Sequence, residues 1–168
     1  GQPGGAEPDD PRRGARLMAE AGQRLILAFD YGTRRIGVAV GNELLRSARE
    51  LTPLTARDGI PDWNVVSRLL NEWQPDLLVV GLPLNMDGSE SDMSTRARKF
   101  GNRLHGRFGK PCEMVDERGT TREAKLIARE AGHKGNYRQD SVDGIAAILI
   151  LEGWFAHQEG LPGGRLSL

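Results

Sequence analysis

Five consecutive apolar residues, Leu25-Ile-Leu-Ala-Phe29, run straight into Asp30 and then into Tyr31-Gly-Thr-Arg34, a junction that few architectures accommodate. An unbroken apolar run of this length suits a strand buried on both faces. The turn residues behind it, and the alternation of apolar and polar side chains from Arg35 to Val40, predict an antiparallel partner that folds back on it. A strand covered on two sides needs a layer above and a layer below, so the remaining chain must supply both.

It does so in a regular order. A third strand is predicted near Arg49 to Thr55, and Trp63, Val66, Leu69, Leu70 and Trp73 then recur at helical spacing until Pro75 stops the helix. Leu77-Leu-Val-Val80 reads as a second buried strand, followed by a loop from Gly81 to Ser89. Ala97, Phe100, Leu104 and Phe108 mark an amphipathic helix, and Glu113-Met-Val115 a brief strand. Thr120 with Glu123 forms a capping box for a helix reaching Gly132, and Asp140 or Ser141 caps a last helix. A hairpin followed by strands alternating with helices predicts an α/β fold, a mixed sheet of about five strands with helices on both faces.

At 168 residues the chain has the length of one domain, placed here at residues 24–157. Residues 1–23, rich in Gly, Pro and charge, are expected to form a disordered tail, and 158–168 a flexible one. Met18 also reads as a start, which leaves residues 1–17 either a native leader or an added segment. No apolar run approaches the ~20 residues of a membrane span and no signal-peptide pattern opens the chain, so the expected location is cytoplasmic, without a membrane partner. The single cysteine, Cys112, excludes an internal disulfide, and His105, His133 and His157 lack zinc-ligand spacing. Any metal must therefore be held by oxygen.

Net charge is zero overall but unevenly spread. Ser94 to Gln139 carries twelve Lys and Arg against five acids, a net of +7. Such a stretch suits a phosphate backbone, and equally a solvated helix face.

Three acids stand at element ends. Asp30 closes a buried strand on the side of Ile26 and Ala28, at the rim of the core where an unpaired charge is expensive, although Asp near Gly32 is also an ordinary turn former. Glu117, in Asp116-Glu117-Arg118, falls in a strand-to-helix loop, where α/β folds keep their chemistry and where acids also serve a helix dipole. Asp143 suits the first turn of a helix for the same reason, yet Gly144 to Leu151 is apolar on every side, so that turn is carried against the sheet. Together the three would form a hard oxygen site for Mg²⁺ or Mn²⁺. Two such ions roughly 4 Å apart cleave phosphodiesters without a side-chain nucleophile. Arg34, Arg35, Asn85 and Arg118 are candidate nucleic-acid contacts, Asn85 within the turn-forming Asn85-Met-Asp-Gly88.

Phe29-Asp-Tyr-Gly-Thr-Arg-Arg-Ile-Gly-Val-Ala-Val-Gly41 resembles the opening signature of the YqgF family of pre-16S rRNA nucleases. Trp73 to Gly88, Val115-Asp-Glu-Arg118 with Thr120 and Thr121, and Val142 to Leu151 are similar to its later motifs, in order, over nearly the whole core. The resemblance implies a ribonuclease-H-like fold related to the Holliday-junction resolvases. It implies a divalent-metal-dependent nuclease that trims the 5′ end of precursor 16S ribosomal RNA during ribosome biogenesis, and it puts the family's acids on Asp30, Glu117 and Asp143. One departure is Gly119, where the family usually has leucine; a glycine there would hold Glu117 less firmly.

Other readings use the same residues. A resolvase-like nuclease would take branched DNA, and a non-catalytic module would engage RNA, the ribosome-assembly machinery or the transcription machinery. Asp30-Tyr-Gly-Thr33 also resembles the first phosphate loop of the actin and sugar-kinase superfamily, but the chain shows neither a second Asp-x-Gly hairpin nor a glycine-rich adenosine loop.

Overall fold

The computed structural model describes residues 23–117 and 142–160, with backbone alone for 142, 143, 159 and 160. The apolar run forms β1 (Leu25–Asp30), which continues through a tight turn into β2 (Arg35–Asn42) and then β3 (Ser47–Arg57). A two-residue strand, β4 (Ile60–Pro61), folds back on the end of β3. β5 (Leu77–Leu82) and β6 (Cys112–Asp116) complete a sheet in the order β4-β3-β2-β1-β5-β6. β1 lies antiparallel to β2, pairing Phe29 with Val38, and parallel to β5, pairing Phe29 with Val80. β6 runs parallel to β5, so β1, β5 and β6 all end on the same sheet edge.

The count is six strands rather than about five because Asp58-Gly59 closes an extra hairpin. Both residues have positive φ, 51° and 83°, as a two-residue type I′ turn requires. β5 also runs two residues past Val80, so the following loop begins at Pro83.

Helix α1 (Trp63–Trp73) starts at Asp62, whose carboxylate accepts the Asn64 N–H at 2.9 Å. It stops where Gln74 turns left-handed ahead of Pro75. Helix α2 (Asp92–Phe108) opens on a reciprocal Ser91–Ser94 capping box and closes on Gly109 at φ 69°. Helix α3 (Val142–Gly160) covers the opposite face. The predicted helix from Thr120 to Gly132, and the caps Asp140 and Ser141, lie outside the described residues.

Strand alternation sorts the interior into two cores. Leu27, Phe29, Val38, Leu78 and Val80 point toward α1 and α2, where Val66, Leu70, Ala97, Phe100 and Leu104 meet them. Ile26, Ala28, Ala39, Leu77 and Val79 point the other way, under Ala147, Ile150, Leu151 and Trp154 of α3. Each fully buried large aliphatic side chain adds about 1.5–3 kcal/mol of transfer free energy. This two-sided burial explains why β1 and β5 read as unbroken apolar runs.

Gly106, exposed in the last turns of α2, has nothing within 4 Å of where a Cβ would stand. Gly106→Ala is expected to stabilise the protein by about 0.5–1 kcal/mol, through helix propensity alone. A urea midpoint that fails to rise would show that the glycine serves some other purpose.

Candidate functional site

The edge where β1, β5 and β6 end carries the acids. Asp30 is the last residue of β1 and is half-buried. Its side of the strand is that of Ile26 and Ala28, the face that α3 covers. Glu117 follows β6 directly and is 5% exposed. Its N–H donates to the Leu82 carbonyl at 3.2 Å, which ties the strand exit to the end of β5.

Gly81 joins the two. Phe29 pairs with Val80, so one step along Asp30 and Gly81 lie side by side on neighbouring strands. An ideal Cβ on Gly81 would sit 2.5 Å from Glu117 Oε2 and 2.9 Å from its carboxyl carbon. The carboxylate of Glu117 therefore occupies the space above Gly81 that any other residue would fill, beside the strand that ends in Asp30. β5, which lies between β1 and β6, must be bare at that position for the acid after β6 to reach inward.

α3 is held across this face at both ends. Trp154 Nε1 donates to Glu113 Oε1 at 2.8 Å, and the Arg24 guanidinium lies 5.2 Å from the centre of the Trp154 rings. At the other end, an ideal Cβ on Gly144 would meet the Glu50 carboxylate at 2.9 Å. Asp143 stands in the first turn of this helix, one residue before Gly144; its side chain lies outside the described residues. Among the described residues no three His, Cys, Asp or Glu side chains are grouped so as to hold a metal, and Asp143 is not one of the side chains so described.

Arg34 and Arg35 are exposed at the start of β2, on the same edge. Asn85 lies in the loop that leaves β5 there, but its amide is committed to the loop itself. Nδ2 donates to Ser89 Oγ at 3.0 Å and to the Glu90 carbonyl at 3.3 Å. Asn85 thus shapes the loop. Glu90 continues the chain of contacts, its carboxyl held below the ordinary carboxylate range by hydrogen bonds from Arg98 and Ser94. Arg118 and Gly119 lie outside the described residues.

Two features of the face were not among the sequence candidates. Glu50 faces α3 because it pairs with Ala39, which in turn pairs with Ala28; its signal is an acid at an inward position of an alternating strand. Gly81 would have been found by asking why a glycine interrupts a buried apolar strand. Cys112 offers no nucleophile, since burial pushes its thiol up to about 11 and keeps it protonated at neutral pH.

Residues 24–157 match the family model described as RuvX, Holliday junction resolvase. A protein of Chromohalobacter salexigens named "Putative pre-16S rRNA nuclease" is 79% identical over 139 residues, covering 83% of this chain and 94% of that protein. One of the same name from Saccharophagus degradans is 58% identical over 137 residues, covering 82% and 96%. Among solved structures, T. thermophilus RuvC in complex with Holliday junction substrate aligns with a TM-score of 0.51 at 16% identity, over 81% of this chain and 96% of that one. That last likeness is one of fold. Among the described residues no helix is long and apolar enough to cross a membrane.

Proposed function

The chain belongs to the RuvX family of Holliday junction resolvases, and from that premise we propose that it is a divalent-metal-dependent nuclease that trims the 5′ end of precursor 16S ribosomal RNA. The class of reaction, phosphodiester hydrolysis, follows from the family and from the nuclease relatives. The observation that carries the metal-dependent reading is the seat of Glu117 over Gly81, beside the strand that ends in Asp30. It supports assigning Asp30, Glu117 and Asp143 as the acids of the site.

Their chemistry fits the proposed metal. The donors are carboxylate oxygens, hard ligands suited to Mg²⁺ or Mn²⁺ and ill suited to thiophilic ions. When bound, the cation would supply Lewis acidity and lower the pKa of a water molecule to make it a nucleophile near neutral pH. The chain's own part is to keep the carboxylates of Asp30 and Glu117 at strand ends, where they need no reordering before substrate arrives. The carboxylates repel phosphate, and Arg34, exposed on the neighbouring turn, offers the opposite charge.

A second reading, cleavage of branched DNA, is favoured by the family description and by the fold of the junction-bound resolvase. One experiment separates the two. Wild-type and Asp30→Asn proteins are incubated with precursor 16S rRNA and with a DNA four-way junction, in Mg²⁺, Mn²⁺ or EDTA, and Mn²⁺ binding is followed by calorimetry. Wild-type protein is expected to cut the RNA in either metal and not in EDTA. Asp30→Asn should lose about 100-fold or more in rate, the scale of one electrostatic contact to the transition state, and should bind Mn²⁺ more weakly. Cleavage in EDTA, or full activity in the variant, would sink the mechanism; preference for the junction would select the DNA reading.

A further inference from the structure

Next to the acids, on the same sheet edge, the turn between β1 and β2 and the hairpin between β3 and β4 enclose a groove of about 620 Å³. Arg34, Arg57, Asp58 and Asp62 line it, with Ile60 and Pro61 of β4 on the far side of β3 from Arg34. Arg34 follows Asp30 by four residues, and the other lining residues belong to β3, β4 and the cap of α1, on the opposite side of β1 from β5 and β6.

Its walls are locked together. Ala56 N–H donates to the Arg34 carbonyl and Gly59 N–H to the Thr33 carbonyl, both at 2.8 Å. Tyr31 donates its hydroxyl to the Gly59 carbonyl at 3.1 Å. An ideal Cβ on Gly59 would collide with that tyrosine hydroxyl, so the hairpin and the turn approach as closely as glycine allows. The type I′ turn at Asp58-Gly59 then fixes Arg57 opposite Ile60.

The charges around the groove do not cancel. Asp58 pairs with Arg96 at 3.2 Å, while Asp62, which caps α1, keeps its charge, so Arg34 and Arg57 leave an excess of one positive charge. Arg34 and Arg57, both exposed, have no ion-pair partner among the described residues. Ile60, paired with Arg57 on the outer side of β3, is 52% exposed. Two exposed guanidiniums at neighbouring strands, with an apolar side chain beside the outer one, match a strand of nucleic acid whose phosphates are spaced along the groove and whose base is free to lie on an aliphatic surface. A duplex would keep that base stacked away from the platform.

We infer that this groove is a backbone subsite for a single nucleic-acid strand running away from the cleavage site, with Arg34 and Arg57 each holding a phosphate and Ile60 supporting a base. The inference extends the nuclease reading to the path its substrate takes. Arg57 is then a positioning residue: it reaches substrate remote from the reacting phosphate and sets which strands are held in register.

The test measures binding without cleavage, so that it stands or falls independently of the acids. A labelled 20-nucleotide single-stranded RNA is titrated in EDTA, over a series of KCl concentrations, with wild-type protein, Arg34→Ala/Arg57→Ala, Arg34→Lys/Arg57→Lys and Arg68→Ala. Removing two phosphate contacts should reduce the slope of log affinity against log salt by about 1.4 and weaken binding about tenfold at 0.1 M salt. The lysine pair should restore most of the slope, because charge and not shape sets it. Arg68→Ala, the loss of one charge at an exposed position of α1, should stay within about twofold. Wild-type slope and affinity in the double alanine variant would overturn the assignment. Equal losses on a 20-base-pair duplex would overturn its restriction to a single strand. Ile60→Ser, at an exposed position that leaves the fold intact in a thermal melt, should weaken the RNA complex about threefold without changing the slope, and a changed slope would refute its apolar role.

Discussion

Gly81→Ala is expected to cost the protein about 1–3 kcal/mol of stability and to lower its cleavage rate about 100-fold. In most strands the exchange of glycine for alanine is a small gain of about 0.5–1 kcal/mol. Here the new methyl group collides with the tip of Ile150 and with the Glu117 carboxylate at 2.5 Å. The aliphatic tip can rotate, although Ile150 is only 2% exposed and has little room to do so. The carboxylate has less freedom still, because its backbone is bonded to Leu82. It can relieve the overlap only by leaving the position beside Asp30. Activity should therefore fall further than stability does, a split that thermal melts and cleavage rates on the same samples will show. For a chain of this size the melting temperature should drop by roughly 2–4 °C per kcal/mol. If cleavage by the variant stayed near wild type, Glu117 would not belong to the site.

Phe29→Ala should cost about 3–5 kcal/mol, the range for emptying an aromatic site in a packed core. Phe29 is fully buried and meets Phe100 edge to face at 5.7 Å. Against a total stability of about 5–15 kcal/mol, the variant would keep a small fraction of its margin or none. The urea midpoint gives the answer, with Phe29→Leu as the milder comparison. A loss below about 1 kcal/mol would mean that the core around α2 collapses into the gap, contrary to its close packing. The effect reaches the site as well, since Asp30 is the next residue and owes its position to this strand.

How much of this was readable in the chain differs from residue to residue. The apolar run before Asp30, the spacing of Trp63 to Trp73 and the stop at Pro75 encode their elements locally, and α1 and β1 follow them closely. The parallel pairing of β1 with β5 is non-local, and the alternation rule supplies it by topology. Asp58-Gly59 is the strongest kind of short hairpin signal, yet β4 is only two residues long, too short to show any periodicity of its own. The seat of Glu117 could not be read from its neighbours at all. It depends on Gly81, thirty-six positions earlier, whose meaning appears only once β5 and β6 lie side by side. Asn85 shows the converse, a polar loop residue whose part in holding its own turn appears only once the loop is folded.

The division of the interior into two cores has a kinetic consequence. β1, β2 and β3 are joined by short turns, so their pairing can begin early in synthesis, and α1 and α2 follow in the chain to cover one face. The other face waits for α3, whose residues are made last among the described elements. At about 5–20 residues per second, a nascent chain spends several seconds with Ile26, Ala28, Ala39, Leu77 and Val79 facing water. During that interval the half-built sheet is open to aggregation and to holding chaperones. The helix that ends the exposure also delivers the turn containing Asp143, so on the site proposed here the enzyme would become competent to cut only when it had finished folding.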